Sequence, residues 1–115
     1  MLHYSLEAAE TLAKEGVSVE VIDLRSLNPL DKDSILNSVK KTGKALVVYE
    51  DYEFGGFGAE VAALIAQEAF QHLDGPVTRL GAPFVPAMPF AKPLEDAFML
   101  NPEKISAAIR KLASY

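Results

Sequence analysis

The chain places carboxylates directly after two strand-like runs, the first alternating and the second continuously apolar. Asp23 follows Val17 to Ile22, and Glu50-Asp51 follow Ala45 to Tyr49. Acids there stand at the carboxyl ends of strands, the edge at which open α/β sheets place ligands. Two carboxylates meeting there suit general acid–base work, one protonated and one charged. Arg25 and Arg79 stand at the same ends and can pair with those acids, and such pairs more often tie loops together than catalyse. A second candidate is Gly55-Gly56-Phe57-Gly58, just ahead of an amphipathic run. Free amides at a helix N-terminus hold anions. However, the loop lacks the full dinucleotide fingerprint and no phosphate loop ends in Lys-Ser or Lys-Thr, while Glu53 and Glu60 flank it with negative charge. Close packing of a helix on a strand accounts for the same glycines. His3 and His72 stand in no metal-ligand spacing and read as surface or capping side chains.

The elements that must position these residues follow from periodicity and punctuation. Ala45 to Tyr49 is a continuous apolar run, the pattern of a strand covered on both faces. Beyond the glycines, Val61, Ile65 and Ala69 recur every four residues with Leu64 beside them, predicting a helix that packs back on the sheet. Upstream, Leu2 to Glu15 carries a stripe of Leu2, Leu6, Ala9 and Ala13 and ends at Gly16. Val17 to Asp23 alternates as a strand. Asp31 is a helix N-cap ahead of Ile35, Leu36 and Val39, with Lys40 and Lys41 in the last turn and Gly43 closing it. Downstream, Val77 to Leu80 is a short strand, and Asn101-Pro102 opens a last helix striped by Ile105, Ala108, Ile109 and Leu112.

Between those two elements, Gly81 to Pro93 holds four of the seven prolines and predicts an extended, stiff loop. Its apolar residues Phe84, Val85, Met88 and Phe90 either contact a partner or pack over the domain's own sheet edge. Helices alternating with strands imply a mostly parallel sheet covered on both faces. One strand is lacking, because the chain opens on a helix whereas each later strand is introduced by one. The chain therefore reads as a piece of something longer that begins just inside a domain.

Composition narrows the function classes. At 115 residues with half of them hydrophobic, the chain has a single-domain length and can build a core without staples. It has no cysteine, which excludes disulfides and thiolate metal sites and makes the cytosol the natural compartment. No stretch resembles a signal peptide or a membrane span. A net charge of −5 argues against nucleic acid and favours a basic partner surface.

A resemblance adds what composition cannot. Ala8-Ala9-Glu10, Glu15-Gly16-Val17, the unbroken run Val21 to Asp31, Ser38 to Gly43, Glu50, Gly55 to Glu60 and Leu94-Glu95 follow one another in an order and spacing similar to the C-terminal domain of the E1 beta subunit of 2-oxo acid dehydrogenases. The match covers nearly the whole chain. It implies an α/β fold of the transketolase C-terminal type, a three-layer α/β/α sandwich lacking its first strand, with residues 1–115 as one domain of a longer beta chain. It implies that the parent enzyme decarboxylates a 2-oxo acid oxidatively and passes the acyl group to lipoyl-E2. The parent uses thiamine diphosphate and magnesium held by other domains, so this stretch carries no catalytic, cofactor or metal residues and is inactive alone.

The implied partners are an E1 alpha subunit or domain, a second E1 beta, and the small basic peripheral-subunit-binding domain of E2. Docking to E2 is expected at Glu68, Asp74 and the carboxylate of Tyr115, and subunit contact at Phe84, Val85, Met88 and Phe90. The family commonly has an aspartate before a Pro-x-Pro pair in this loop, and Val85 with Pro86 to Pro89 departs from it. The compartment implied is cytoplasmic, or the mitochondrial matrix in a eukaryote. Two alternatives remain: the equivalent domain of a transketolase or deoxyxylulose-phosphate synthase, which the run Asp23 to Asp31 disfavours, and a free-standing α/β interaction module.

Overall fold

The computed structural model describes every residue from Met1 to Tyr115. Helix α1 (Leu2–Ala13) buries Ala8 and Leu12 and not the expected stripe, of which Leu6 and Ala13 are exposed, because the face turned to the rest of the fold is rotated from it; Gly16, at φ +83°, turns the chain away from the helix. Helix α2 (Lys32–Thr42) starts on Asp31, whose carboxylate accepts from the Ser34 amide at 3.0 Å and the Ser34 hydroxyl at 2.6 Å. It stops on Gly43 at φ +72°. Strand β1 (Leu46–Tyr52) leads through the glycine loop into helix α3 (Gly58–Glu68), a 3-10 turn at Phe70–His72 and strand β2 (Thr78–Ala82). Helix α4 (Lys92–Phe98) and helix α5 (Pro102–Ala113) complete the chain, with Asn101 accepting from the Lys104 amide at 2.8 Å to cap α5.

The two strands pair in parallel, Leu46 opposite Thr78 and Val48 opposite Leu80, with a bulge before Tyr52 meets Ala82. Parallel strands need a crossover, and α3 supplies it. One core lies where Ile35, Leu36 and Val39 of α2 meet Val61, Leu64 and Ile65 of α3 and Ala69, over Val47 and Val77 of the sheet layer. A second lies on the other side, where α1 packs on α5 and buries Ala8, Leu12, Ile105 and Leu112. Arg110 of α5 grips the Glu15 carboxylate with two hydrogen bonds, at 2.8 and 2.6 Å, and fastens the end of α1.

Two further expectations about local structure change. Val17 to Asp23 is extended, yet it joins no ladder: the sheet contains β1 and β2 alone. Its alternation survives as half-burial of Val17, Val19 and Val21. A strand requires a hydrogen-bonded neighbour as well as a pattern, and β1 lies across a cleft from it. The proline-rich loop is also shorter than the proline spacing implied. β2 runs on to Ala82, and Pro93 sits in the first turn of α4, where the missing amide would have had no partner in any case.

The cap on α2 has a pH signature. The Asp31 carboxyl is held below its ordinary value of 3.8, first by the Ser34 hydroxyl and then by the Ser34 amide. A depressed carboxyl stabilises the fold above its unfolded value and loses that contribution as pH falls through the lower folded value. Replacing Asp31→Asn is therefore expected to flatten the acid limb of a Tm-against-pH curve below pH 3.8, with the two proteins converging at the lowest pH. A curve for the variant as steep as that of the parent would assign the acid sensitivity elsewhere.

Candidate functional site

The glycine loop is built around one ring. Tyr49, on β1, packs directly against Gly58, and a Cβ on Gly56 or Gly81 would lie 2.8 or 2.9 Å from its Cε2. Its hydroxyl donates to the Glu53 carbonyl at 3.3 Å and accepts from Arg79 Nη1 at 3.2 Å, while the same Arg79 nitrogen donates to the Glu53 carbonyl at 2.6 Å. Arg79 thus secures the loop through a phenol and a backbone carbonyl and leaves the strand-end carboxylates alone. Gly56 and Gly58 are small because a ring and a carbonyl occupy the space beside them. An anion would find the α3 N-terminus bordered by that ring and by Glu60 of its first turn.

The other strand-end acids do not assemble a catalytic pair. Asp23 binds Arg25 at 2.7 Å, on an exposed turn where Arg25 adopts φ +56°. Asp51 accepts from the Tyr52 amide, and Glu50 is exposed. No group of three His, Asp or Glu side chains gathers to hold a metal ion. No catalytic step is assigned to these residues.

What does gather at this end of the sheet is aromatic surface. Phe84 stands edge-on to Tyr52, with centroids 5.7 Å apart, and tilts against Phe54 at 5.1 Å; Phe98 meets Tyr52 at 6.2 Å. Phe54, Phe84 and Phe90 are 74%, 69% and 103% exposed, a cost in water that a monomer gains nothing from. Met88 and Phe57 are exposed beside them in the chain, and Val85 is half-buried. Phe84, Val85, Met88 and Phe90 are the residues that the loop's composition singled out. Tyr52, Phe54 and Phe98 were not singled out, although two aromatics two residues apart just beyond a strand are a signal for this kind of edge.

The three candidate docking residues divide. Asp74 follows the 3-10 turn, its amide donating to the Gly43 carbonyl at 2.7 Å and its carboxylate pressed against Gly43. Tyr115 packs against the adjacent Gly75, so Asp74 and Tyr115 share one surface. Glu68, at the end of α3, is half-exposed and 3.8 Å from Lys32 Nζ.

The family described as transketolase, C-terminal domain, matches residues 1–105. The chain is 47% identical over 114 residues to the 2-oxoisovalerate dehydrogenase subunit beta of Bacillus subtilis, covering 99% of this chain and 35% of that protein. It is 46% identical over 107 residues to the mitochondrial pyruvate dehydrogenase E1 component subunit beta of Dictyostelium discoideum, covering 93% and 30%. A solved structure, a split gene transketolase described as an inactive beta4 tetramer, superposes with a TM-score of 0.83 at 28% identity over 98% of this chain and 36% of its own. The chain thus spans about a third of the length of the proteins it matches. By the family match along residues 1–105 and by the shared fold, the chain belongs to the transketolase C-terminal domain family.

Proposed function

We propose that this chain is the C-terminal domain of an E1 beta subunit of a 2-oxo acid dehydrogenase, acting as an assembly and E2-docking module. Identity of 46–47% along almost the whole chain to beta subunits of two such enzymes carries the reading, where the transketolase neighbour reaches 28%. The parent enzyme decarboxylates a 2-oxo acid with thiamine diphosphate and magnesium, bound by its other domains, and hands the acyl group to lipoyl-E2. It works in the cytoplasm, or in the mitochondrial matrix of a eukaryote. The exposed aromatic cluster around Phe84, with Phe90 further along the same loop, serves contact with E1 alpha or a second E1 beta: large, rigid side chains of this kind are what interfaces bury at their centres. The acidic surface at Asp74 and Tyr115, with Glu68, receives the basic peripheral-subunit-binding domain of E2. A net charge of −5 supports that complementarity.

Calorimetric titration with that E2 domain tests the docking. Binding is expected at low salt, weakening as salt rises. Asp74→Asn and Glu68→Gln are each expected to lower affinity about two- to fivefold, the scale of exposed ion pairs. Thiamine diphosphate with magnesium, titrated separately, is expected to give no heat. Cofactor binding in the absence of E2 binding would overturn the proposal and return attention to Gly55–Gly58.

A further inference from the structure

Two of the chain's three arginines spend their guanidinium groups inside the domain. Arg79 donates from Nη1 to the Tyr49 hydroxyl and the Glu53 carbonyl, and Arg110 clasps both carboxylate oxygens of Glu15. Arg25 is the exception. Asp23 Oδ2 lies 2.7 Å from its Nε, neither Nη atom has a hydrogen-bond partner, and the side chain is 84% exposed. A carboxylate at the Nε corner restrains the guanidinium plane and leaves the end-on pair of Nη groups free, and that pair matches the two oxygens of a second carboxylate.

The backbone supplies an independent observation. Arg25 sits at φ +56°, and the Ser26 amide donates to the Leu24 carbonyl across it, closing a three-residue turn. Turns of this kind with positive φ are rare and strained for a residue that bears a side chain, whereas glycine adopts that φ freely. Nothing inside the domain offsets the strain. The Asp23–Arg25 pair lies in water, where such pairs contribute little, and the 3.3 Å bond from the Arg25 amide to Asp23 Oδ1 does not need the guanidinium. Backbone strain that persists in this way clusters at functional contacts. Ile22 and Leu27, on either side of the turn in sequence, are exposed apolar side chains of the kind that exclude water around a buried charge.

We infer that Arg25 is an anchor of the E1 assembly: its two Nη groups receive the carboxylate of one aspartate or glutamate on a neighbouring subunit, with Ile22 and Leu27 closing over the pair. The inference deepens the proposed assembly role and rests on it. A carboxylate fixed in an interface suits this fork better than a free anion does. Arg25 and Asp23 together carry no net charge, so a small anion in solution feels little long-range attraction, and a dianion such as phosphate meets the Asp23 carboxylate as it approaches. A carboxylate that the rest of an interface already holds opposite the Nη groups binds as an intramolecular partner, and the exclusion of water there strengthens the pair.

Sedimentation of the beta polypeptide that carries this chain, mixed with its alpha subunit, reads the assembly, and thermal unfolding of this chain reads the fold. Arg25→Gly is expected to weaken assembly roughly thirtyfold or more, the scale on which loss of a desolvated interface charge acts, and to leave the Tm of the chain unchanged or raised. Arg25→Lys keeps the charge without the fork and is expected to weaken assembly about tenfold. Equal assembly of the unsubstituted and Arg25→Gly polypeptides would overturn the inference and leave the assembly role intact. A fall in the chain's Tm on Arg25→Gly would put the turn in the service of the fold and overturn it as well. A rise in Tm with sodium acetate that sodium chloride does not reproduce and Arg25→Gly abolishes would give the fork to a free carboxylate and overturn the partner. Failure of the unsubstituted polypeptide to assemble would overturn the assembly role on which the anchor rests.

Discussion

Ile105→Ala is expected to lower stability by about 3 kcal/mol and Tm by on the order of 10 °C, and Leu12→Ala to do much the same. These are the two largest side chains that are fully buried, and they lie on helices that pack against each other rather than on the glycine-loop side of the sheet. Each truncation removes several methyl and methylene groups from water-free contact and leaves a hollow that the surrounding helices close only in part. A domain of this size has about 5–15 kcal/mol to lose, so the effect is large. Urea unfolding with an unchanged m-value checks it. The instructive control is Phe90→Ala, which deletes a still larger side chain. At 103% exposure Phe90 contributes nothing to the monomer's core, and a change within about 0.5 kcal/mol is expected. A loss at Phe90 equal to that at Ile105 would mean that the loop packs onto its own domain and would remove the argument for an interface there.

How much of this was legible depends on whether the information is local. Asp31, Gly43 and Asn101-Pro102 announce helix ends because a cap is a bond between residues three apart, and all three act as the spacing predicted. Val61, Leu64, Ile65 and Ala69 are buried because a stripe at helical spacing has one face to offer. Val17 to Asp23 shows where locality ends. Its alternation is real, but ladder membership is a property of two segments, and the neighbour across the cleft is not at bonding distance. Helix α4 was hidden for the opposite reason. Pro93 closes a run of prolines that reads as loop, while a proline in the first turn is compatible with a helix. The aromatic cluster needed the fold as well: Tyr52, Phe54, Phe84 and Phe98 come from three segments that only the sheet brings together.

Gly58→Ala is the second large expected effect, a loss of roughly 3 kcal/mol, and its sign runs against propensity. Gly58 is the first residue of α3, and in a helix alanine is ordinarily better than glycine by up to about 1 kcal/mol. Here the new methyl would overlap the Tyr49 ring at Cε1 and Cδ1. The ring has little room to retreat, because Gly56 and Gly81 sit at its opposite edge and its hydroxyl is bonded to Glu53 and Arg79. Overpacking of this kind costs about 1–3 kcal/mol, towards the upper end when no neighbour is a flexible chain end. A double-mutant cycle separates the two contributions. In a Tyr49→Ala background the obstacle is gone, and Gly58→Ala should become neutral or slightly stabilising, giving a coupling of roughly 3 kcal/mol. If Gly58→Ala costs the same in both backgrounds, the glycine answers to something other than the ring. The same cycle reaches function, because Phe57 precedes Gly58 and Phe54 opens the loop that Tyr49 and Arg79 hold. Gly58→Ala should therefore weaken E1 subunit assembly, measured by sedimentation, even at temperatures where the domain remains folded. Phe90→Ala should weaken assembly with no change in stability.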